Sequence, residues 1–167
     1  MTSQISKPVA TCMRRLWVLV FVVFSFVCAQ DQQRQPSLSE QLAALQRLEA
    51  SQPDSLGPKV QQAVLLLGYV CTNPQNSKSQ QYVDEAQRVI GKIEALKPQK
   101  AVDRSDLATL HGFYYTALIV MSPQQNGPRY YRQALDNFDE ALKLNPANAM
   151  AKQLQEKFRQ SMGQTSK

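Results

Sequence analysis

The sequence has few of the residues from which metal sites, nucleophilic catalysis and disulfide frameworks are built. Its 167 residues include a single histidine, His111, and three cysteines, so no group of His and Cys has the spacing of zinc ligands. A Gly-rich phosphate loop and a Gly-x-Ser-x-Gly nucleophile turn are also missing. The composition therefore disfavours an enzyme and predicts neither a cofactor nor a metal ion.

Long runs of one charge are missing as well. The formal net charge is +6, but no block of five or more like charges occurs. Residues 1–29 hold three basic residues and no acidic one, so the rest of the chain has 16 basic and 13 acidic residues, a net charge of +3. Nothing in this pattern indicates binding to nucleic acid or to an anionic membrane surface.

No apolar run reaches the length of a membrane-spanning helix. The longest covers residues 16–27, is interrupted only by Ser25 and follows the basic segment 13–15. It is shorter than the ~20 residues that span a bilayer, which favours a secretory signal peptide over residues 1–29, cleaved after Ala29. We therefore expect a periplasmic or secreted protein that contacts a membrane only through this segment.

Three alternatives concern the same segment. Cys28 would carry a lipid if the chain were a lipoprotein, although bacterial lipoproteins usually have Gly, Ala or Ser before that cysteine and this chain has Val27. An uncleaved membrane anchor ranks after both cleavage and lipidation. Met13 offers an alternative start of the chain.

The chain after the signal segment divides into three parts. Residues 30–36 are polar, end in Pro and predict a flexible leader. Residues 37–161 have helical patterning and predict one helical domain, whereas residues 162–167 predict a frayed tail. Cys71 is the one cysteine after residue 29, so we expect helix packing, and not disulfides, to stabilise the domain.

The clearest helical pattern lies in the stretch YYRQALDNFDEALKLNP, residues 130–146. Five of its apolar residues fall on one face of a helix that Asn-Pro ends. They are Tyr130, Ala134, Phe138, Ala141 and Leu142. The spacing recurs as Tyr82-x3-Ala86-x3-Ile90-x2-Ile93-x4-Pro98, and a fainter copy is Leu45-x2-Leu48-x4-Pro53. The final prolines are 45 and 48 residues apart, which gives each unit room for two helices and a loop.

Capping residues predict where the helices of these units begin. Ser37 and Glu40 form a capping box for a first helix that ends near Ala50. Asp54 or Ser55 would cap the second helix.

The third and fourth helices have weaker start signals. Ser77 and Gln80 would cap a third helix over residues 78–96, and Asp103 would cap a fourth over residues 104–121. The fourth helix is apolar on several faces, which predicts a place at the centre of the core.

Segments rich in turn-forming residues predict the loops. One covers residues 72–79 and another covers residues 122–128, with Pro128 at the first position of the fifth helix. A one-sided amphipathic helix over residues 147–160 would then close the domain.

The repeated unit resembles the tetratricopeptide repeat (TPR) family over about residues 38–160. The resemblance implies an all-α fold, a short solenoid of TPR-like helical hairpins with an N-terminal half-repeat and a C-terminal capping helix. Leu67-Gly68 lies where that pattern often has Leu-Gly, and the Gly would let a neighbouring helix come close. The units are longer than the usual ~34 residues. The alternative is an ordinary helical bundle whose helices end at Pro.

In this family the first helix of each pair lines a concave groove that receives a peptide or a partner helix. The resemblance places Gln62, Leu65 and Tyr69 in the groove of the first unit. It places Ser105, Ala108, Gly112 and Tyr115 in that of the second. The two tyrosines suit either a binding surface or the core.

The remaining candidates for chemistry are weak. His111 lacks metal-ligand companions, and a pair with Cys71 would lack a third group to orient the base. The sequence therefore predicts an exported, non-enzymatic adaptor that binds a protein or peptide partner. The alternatives are a small Cys/His-dependent hydrolase or thiol enzyme and a self-assembling structural protein.

Overall fold

The computed structural model describes residues 36–163, and over that range it contains helices and no strand. The helices are α1 (Leu38–Ser51), α2 (Leu56–Thr72), α3 (Ser79–Ala95), α4 (Ala101–Met121), α5 (Pro123–Leu144) and α6 (Ala149–Ser161). The all-α prediction is therefore confirmed for this range. The predicted signal peptide, nearly all of the leader and the end of the tail lie outside the described residues.

The helices pack in the order of the sequence. Each of α1 to α5 contacts the helix that follows it, and α2 contacts α4, which in turn contacts α6. The interface between α4 and α5 is the largest, and α4 also contacts α2 and α3. The central position predicted for the fourth helix is thus confirmed. Between residues 36 and 163, no helix is long and apolar enough to cross a membrane.

Three apolar clusters show how the helices are oriented. Val70 near the end of α2 shares one cluster with Ala117 near the end of α4. Ala63 and Leu110, which lie earlier in the same two helices, share the second. The helices α2 and α4 therefore run side by side in one direction. The third cluster joins α4, α5 and α6 around Phe138.

The predicted capping box at the start of α1 is confirmed. The Ser37 backbone N–H donates to the Glu40 carboxylate at 2.7 Å, and the Glu40 backbone N–H donates to the Ser37 hydroxyl at 3.3 Å. The bonds from the Ser37 backbone and hydroxyl lower the pKa of Glu40, because they stabilise its ionised form. A local sequence signal was sufficient to predict the start of α1, since Ser37 and Glu40 lie within one turn.

The predicted third helix agrees with the structure to within one residue at each end, but the predicted caps of the third and fourth helices are wrong. Helix α3 begins at Ser79, with Lys78 at the N-cap position and no side-chain cap hydrogen bond, so Ser77 does not cap it. Helix α4 begins at Ala101, which places Asp103 inside its first turn. A carboxylate is favourable in a first turn as well as at a cap, so the sequence does not separate the two positions.

The predicted loop over residues 122–128 is also wrong. Ser122 alone separates α4 from α5, so Pro128 lies inside α5 and not at its first position. Pro123 takes that first position, where a missing N–H costs no hydrogen bond. The Asn126 side chain donates to the Leu118 carbonyl at 2.6 Å and satisfies the end of α4.

A buried asparagine holds α6 against α4. Helix α5 ends at Leu144 as predicted, and α6 begins two residues later than expected. The later start is due to Asn148, which caps α6 by accepting a hydrogen bond from the Ala151 N–H at 3.0 Å. The amide of Asn148 donates to the Ser105 hydroxyl at 2.9 Å and lies within 3.3 Å of the Thr109 hydroxyl. Asn148 is only 6% exposed. One side chain therefore both starts α6 and fixes it to α4.

The helical glycine that requires a missing side chain is Gly112 and not Gly68. A Cβ added to Gly112 would lie 2.7 Å from Cδ1 and Cε1 of the fully buried Phe138 ring. A Cβ at Gly68 would meet nothing within 4 Å. The expectation that Gly68 admits a neighbouring helix is therefore wrong, and the missing side chain is required where α4 meets α5.

Candidate binding groove

An open apolar cavity of about 540 Å³ runs along one side of α2. We call it the apolar groove; it is formed by α1, α2 and the first turn of α6. Its lining residues are Gln41, Ala44, Leu45, Val60, Gln61, Val64, Leu65 and Met150. Helix α2 is apolar on most of its sides, and its neighbours cover only part of that surface, which leaves the groove open.

A smaller cavity of about 230 Å³ adjoins the apolar groove and has an acidic wall. We call it the acidic recess. Val60 and Gln61 line both cavities, while Asp103 and Asp106 of α4 line the recess alone. Among the described residues, no basic side chain forms an ion pair with either aspartate. The recess therefore presents two carboxylates beside an apolar surface.

The environment of Asp106 changes its acidity. Burial raises the pKa of Asp106, and the negative charge of Asp103 acts in the same direction. The Asn148 amide, which donates to Asp106 Oδ1 at 3.1 Å, opposes both effects. A half-buried carboxylate of this kind is stabilised by a nearby positive charge.

A separate cavity, which we call the polar cleft, has a carboxylate, Glu49, that the chain's own side chains already neutralise. Its lining residues are Gln46, Glu49, Ala50, Pro53, Gln62, Glu85, Arg88, Val89 and Lys92. Glu49 of α1 accepts from Gln62 at 2.8 Å and from Lys92 of α3 at 2.9 Å. Burial opposes ionisation of Glu49, but these hydrogen bonds and the nearby lysines lower its pKa overall. The buried Lys59 ammonium lies 3.9 Å from Glu49 and donates to the Ser55 carbonyl. These contacts hold α1 and α3 to α2.

The three residues predicted for the first groove face different surroundings. Leu65 lines the apolar groove. Gln62 is buried against Glu49 in the polar cleft. Tyr69 packs edge-to-face on Tyr82, with 5.1 Å between ring centroids. These positions lie on one side of α2 in the sequence pattern, but α1 and α3 each cover part of that side.

The four residues predicted for the second groove lie mainly between helices. Ser105 is fully buried and donates to the Ala141 carbonyl at 2.7 Å, while Gly112 lies under the Phe138 ring. Tyr115 stacks on Tyr130 with 5.5 Å between centroids, and Ala108 is half-buried. The structure thus brings Leu65 alone of the seven residues into the apolar groove.

Residues that sequence reasoning did not assign to a groove complete the site. Val60 and Val64 have the spacing of a core stripe on the second helix, and Met150 has that of a stripe on the final helix. Leu45 has the spacing of the buried stripe of the first helix and is 9% exposed. Each has the periodicity of a core residue, so the sequence does not reveal that an open cavity lies between α1, α2 and the start of α6.

Cys71 and His111 have different surroundings. Cys71 packs at the edge of the apolar cluster of Val70 and Phe113, and burial raises the pKa of its thiol to about 11. The imidazole Nε2 of His111 lies 3.0 Å from Glu94 Oε1 on α3. Within residues 36–163, no group of three or more His, Cys, Asp or Glu side chains could hold a metal ion.

We expect the Cys71 thiol of the folded full chain to react slowly with iodoacetamide at pH 7. An ordinary thiol has a pKa of about 8.5, so raising it to about 11 lowers the thiolate population at pH 7 by two to three orders of magnitude. The rate should increase tenfold per pH unit until the pH approaches 11. Mass spectrometry of the peptide that contains Cys71 measures the rate separately from Cys12 and Cys28.

The urea-unfolded chain is the reference for this rate. Its Cys71 thiol should react at the rate of an ordinary cysteine. Reaction of the folded protein at pH 7 as fast as that of the unfolded chain would contradict the buried, protonated thiol.

Comparisons with known proteins give no family for the chain. No family model, curated protein or solved structure matches it. A function therefore has to be inferred from the apolar groove, the acidic recess and the residues around them.

Proposed function

We propose that the chain is a non-enzymatic adaptor that binds a segment of a protein or peptide partner in the apolar groove. The observation that carries this proposal is the groove lining, in which the half-buried side chains of Val64 and Leu65 and the nearly buried Leu45 form the apolar wall of an open cavity. A concave and mostly apolar lining is typical of binding sites, because covering it with a partner removes apolar surface from water. A groove between helices is a common receptor for an amphipathic partner segment.

The proposal includes a TPR-like architecture. In it α1 is a half-repeat, α2–α3 and α4–α5 are the two hairpins, and α6 is the cap. The serial contacts of α2 with α4 and of α4 with α6 support it, because each unit of a solenoid contacts its neighbours. The apolar groove then follows the first helix of the first hairpin.

The proposal also includes export of the adaptor to the periplasm or the cell exterior. The basic segment 13–15 and the apolar run 16–27 support a signal peptide over residues 1–29. The other route to membrane contact is a lipid on Cys28. A thiol enzyme is less well supported, because the raised pKa of Cys71 keeps its thiol protonated at neutral pH.

An affinity experiment with a groove variant tests the binding role. Ala44 is exposed and lines the apolar groove, so Ala44→Arg would place a bulky charged side chain in it without disturbing the core. We expect a partner captured by the full chain from an exported or cell-extract fraction to be reduced about tenfold by this variant, since an unpaired charge is costly in an apolar interface. Quantitative mass spectrometry measures the capture.

Two further variants complete this test. Ala95→Arg is the matched control, because Ala95 is exposed at the end of α3 and does not line the groove. Joint replacement of Tyr69 and Tyr115 by Ala tests the surface predicted from the TPR resemblance. Equal capture by Ala44→Arg and the full chain would contradict binding in the apolar groove, and loss in the tyrosine variant alone would favour the other surface.

A further inference from the structure

We propose that the partner segment carries a Lys or Arg side chain that binds between Asp103 and Asp106, about one helical turn from the apolar side chains that it places in the apolar groove. This inference rests on the proposed function and specifies the chemistry of the partner. It joins the two adjacent cavities into one binding site with an apolar part and an anionic part.

The positions of the two cavities along α2 give the spacing between the apolar and the basic residues of the partner segment. The apolar groove is lined by α2 residues 60–65 and the acidic recess by α2 residues 56–61. Their centres are therefore offset by about four residues, or ~6 Å along the helix axis. A partner helix spans the same distance in one turn, so an apolar residue and a basic residue three or four positions apart would reach both cavities.

The charge around the acidic recess indicates that the partner side chain bound there is positively charged. Asp103 and Asp106 lie three residues apart on α4, which places their carboxylates on the same side of the helix. The one described side chain that donates a hydrogen bond to either carboxylate is Asn148, a neutral amide. A basic group from a partner would supply the missing counter-charge and a charge-assisted hydrogen bond.

The polar cleft provides a comparison within the same molecule. There Glu49 already has Lys92 at 2.9 Å and Gln62 at 2.8 Å, so a basic partner group would have to displace an existing contact. At the acidic recess the Asn148 amide bonds to Asp106 Oδ1, but no described basic side chain forms an ion pair with either carboxylate. A basic ligand is therefore favoured beside the apolar groove and not in the cleft.

The two-part site predicts discrimination between partners. An apolar segment without a charge would fill the apolar groove but leave the carboxylates unpaired. A segment with Glu at the basic position would bring a third negative charge to the recess, which is unfavourable. The acidic recess would thus select partner segments that carry a basic side chain, and the apolar groove would supply most of the contact area.

Three synthetic peptides test this inference on the full chain. Each is a fluorescein-labelled amphipathic peptide of about 14 residues with Leu at i, i+3 and i+4, and it carries Lys, Gln or Glu one turn further along the same face. Fluorescence anisotropy gives the dissociation constants. We expect the Lys peptide to bind about tenfold more tightly than the Gln peptide and the Glu peptide to bind most weakly, because hydrogen bonds to charged groups are the strongest.

Variants of the acidic recess assign the effect to its carboxylates. The double variant Asp103→Asn/Asp106→Asn should bind the Lys and Gln peptides equally, and it keeps an amide oxygen to accept from Asn148. Asp136→Asn is the matched control, because Asp136 is exposed on α5 and lines neither cavity. If the double variant is destabilised, the single variant Asp103→Asn replaces it, because the Asp103 carboxylate makes no described hydrogen bond that the substitution would remove. This variant should reduce the preference for the Lys peptide over the Gln peptide about threefold.

The outcomes separate this inference from the proposed function. Equal binding of all three peptides, together with loss of Gln-peptide binding in Ala44→Arg, would overturn the basic partner and leave the groove in place. Failure of every peptide to bind the unmodified chain would count against both. Sedimentation of the same samples tests whether a second copy of the chain fills the groove instead. A dimer that Ala44→Arg dissociates would show that it does, and would also overturn the inference.

Discussion

Replacing Asn148 by Ala is expected to lower the free energy of unfolding by about 3 kcal/mol. The side chain caps α6 through the Ala151 N–H and donates to the Ser105 hydroxyl in a site that is almost fully buried. Losing a helix cap costs about 1 kcal/mol, and leaving buried polar groups without their partner costs a further 1–3 kcal/mol. Urea unfolding followed by circular dichroism measures the difference.

Two comparison variants separate the roles of Asn148. Asn148→Asp retains an oxygen that can cap α6 but loses the amide donor and adds a charge beside Asp106, so it should remain strongly destabilised. Asn137→Ala is the control, because the Asn137 amide donates only to the Gln133 carbonyl within α5 on an exposed surface. A change at position 148 no larger than that at position 137 would contradict the buried network.

Replacing Gly112 by Ala is expected to destabilise the protein by about 2 kcal/mol. Two effects of opposite sign compete at this position. Ala is a better helix former than Gly by about 1 kcal/mol, but the added Cβ would lie 2.7 Å from the Phe138 ring. That ring is fully buried in the cluster between α4 and α5, so it has no open space to move into. We therefore expect the steric cost to exceed the gain in helix propensity.

The same substitution at two other helical glycines provides the control. Gly68 and Gly91 have no atom within 4 Å of an added Cβ, so Gly68→Ala and Gly91→Ala should stabilise the protein by about 0.5–1 kcal/mol each. Adding Phe138→Leu to Gly112→Ala should show a favourable coupling, since the smaller side chain makes room for the methyl group. Stabilisation by Gly112→Ala alone would contradict the close approach of the helices.

Local signals in the sequence were enough for part of the fold. The capping box of Ser37 and Glu40 acts within one turn, and Asn145-Pro146 ends α5 whatever surrounds it. The loop predicted over residues 122–128 failed for the opposite reason. Its composition is typical of a loop, but a helix forms there because Asn126 bonds to the end of α4 and Pro123 suits the start of α5.

The site was harder to predict than the helices, because it depends on which surfaces neighbouring helices cover. Ser105 and Gly112 were expected to face a groove, but α5 packs so closely on α4 that both are buried. Asp103 was expected to cap a helix, and its position beside Asp106 in the recess follows only once α4 begins at Ala101. Val64 has the periodicity of a core residue, and only the packed structure shows that it also lines an open cavity.

The one-residue connection between α4 and α5 has a consequence for the order of folding. The large interface of these two helices consists of contacts that are near in sequence, so closing it costs little chain entropy. The apolar groove has the opposite character, because Leu45 and Met150 come from opposite ends of the described range. Contacts between residues far apart in sequence form slowly. We therefore expect the α4–α5 hairpin to form early and the apolar groove to form late. A partner that recognises the groove would then bind only completely folded molecules and would protect them from unfolding through linkage.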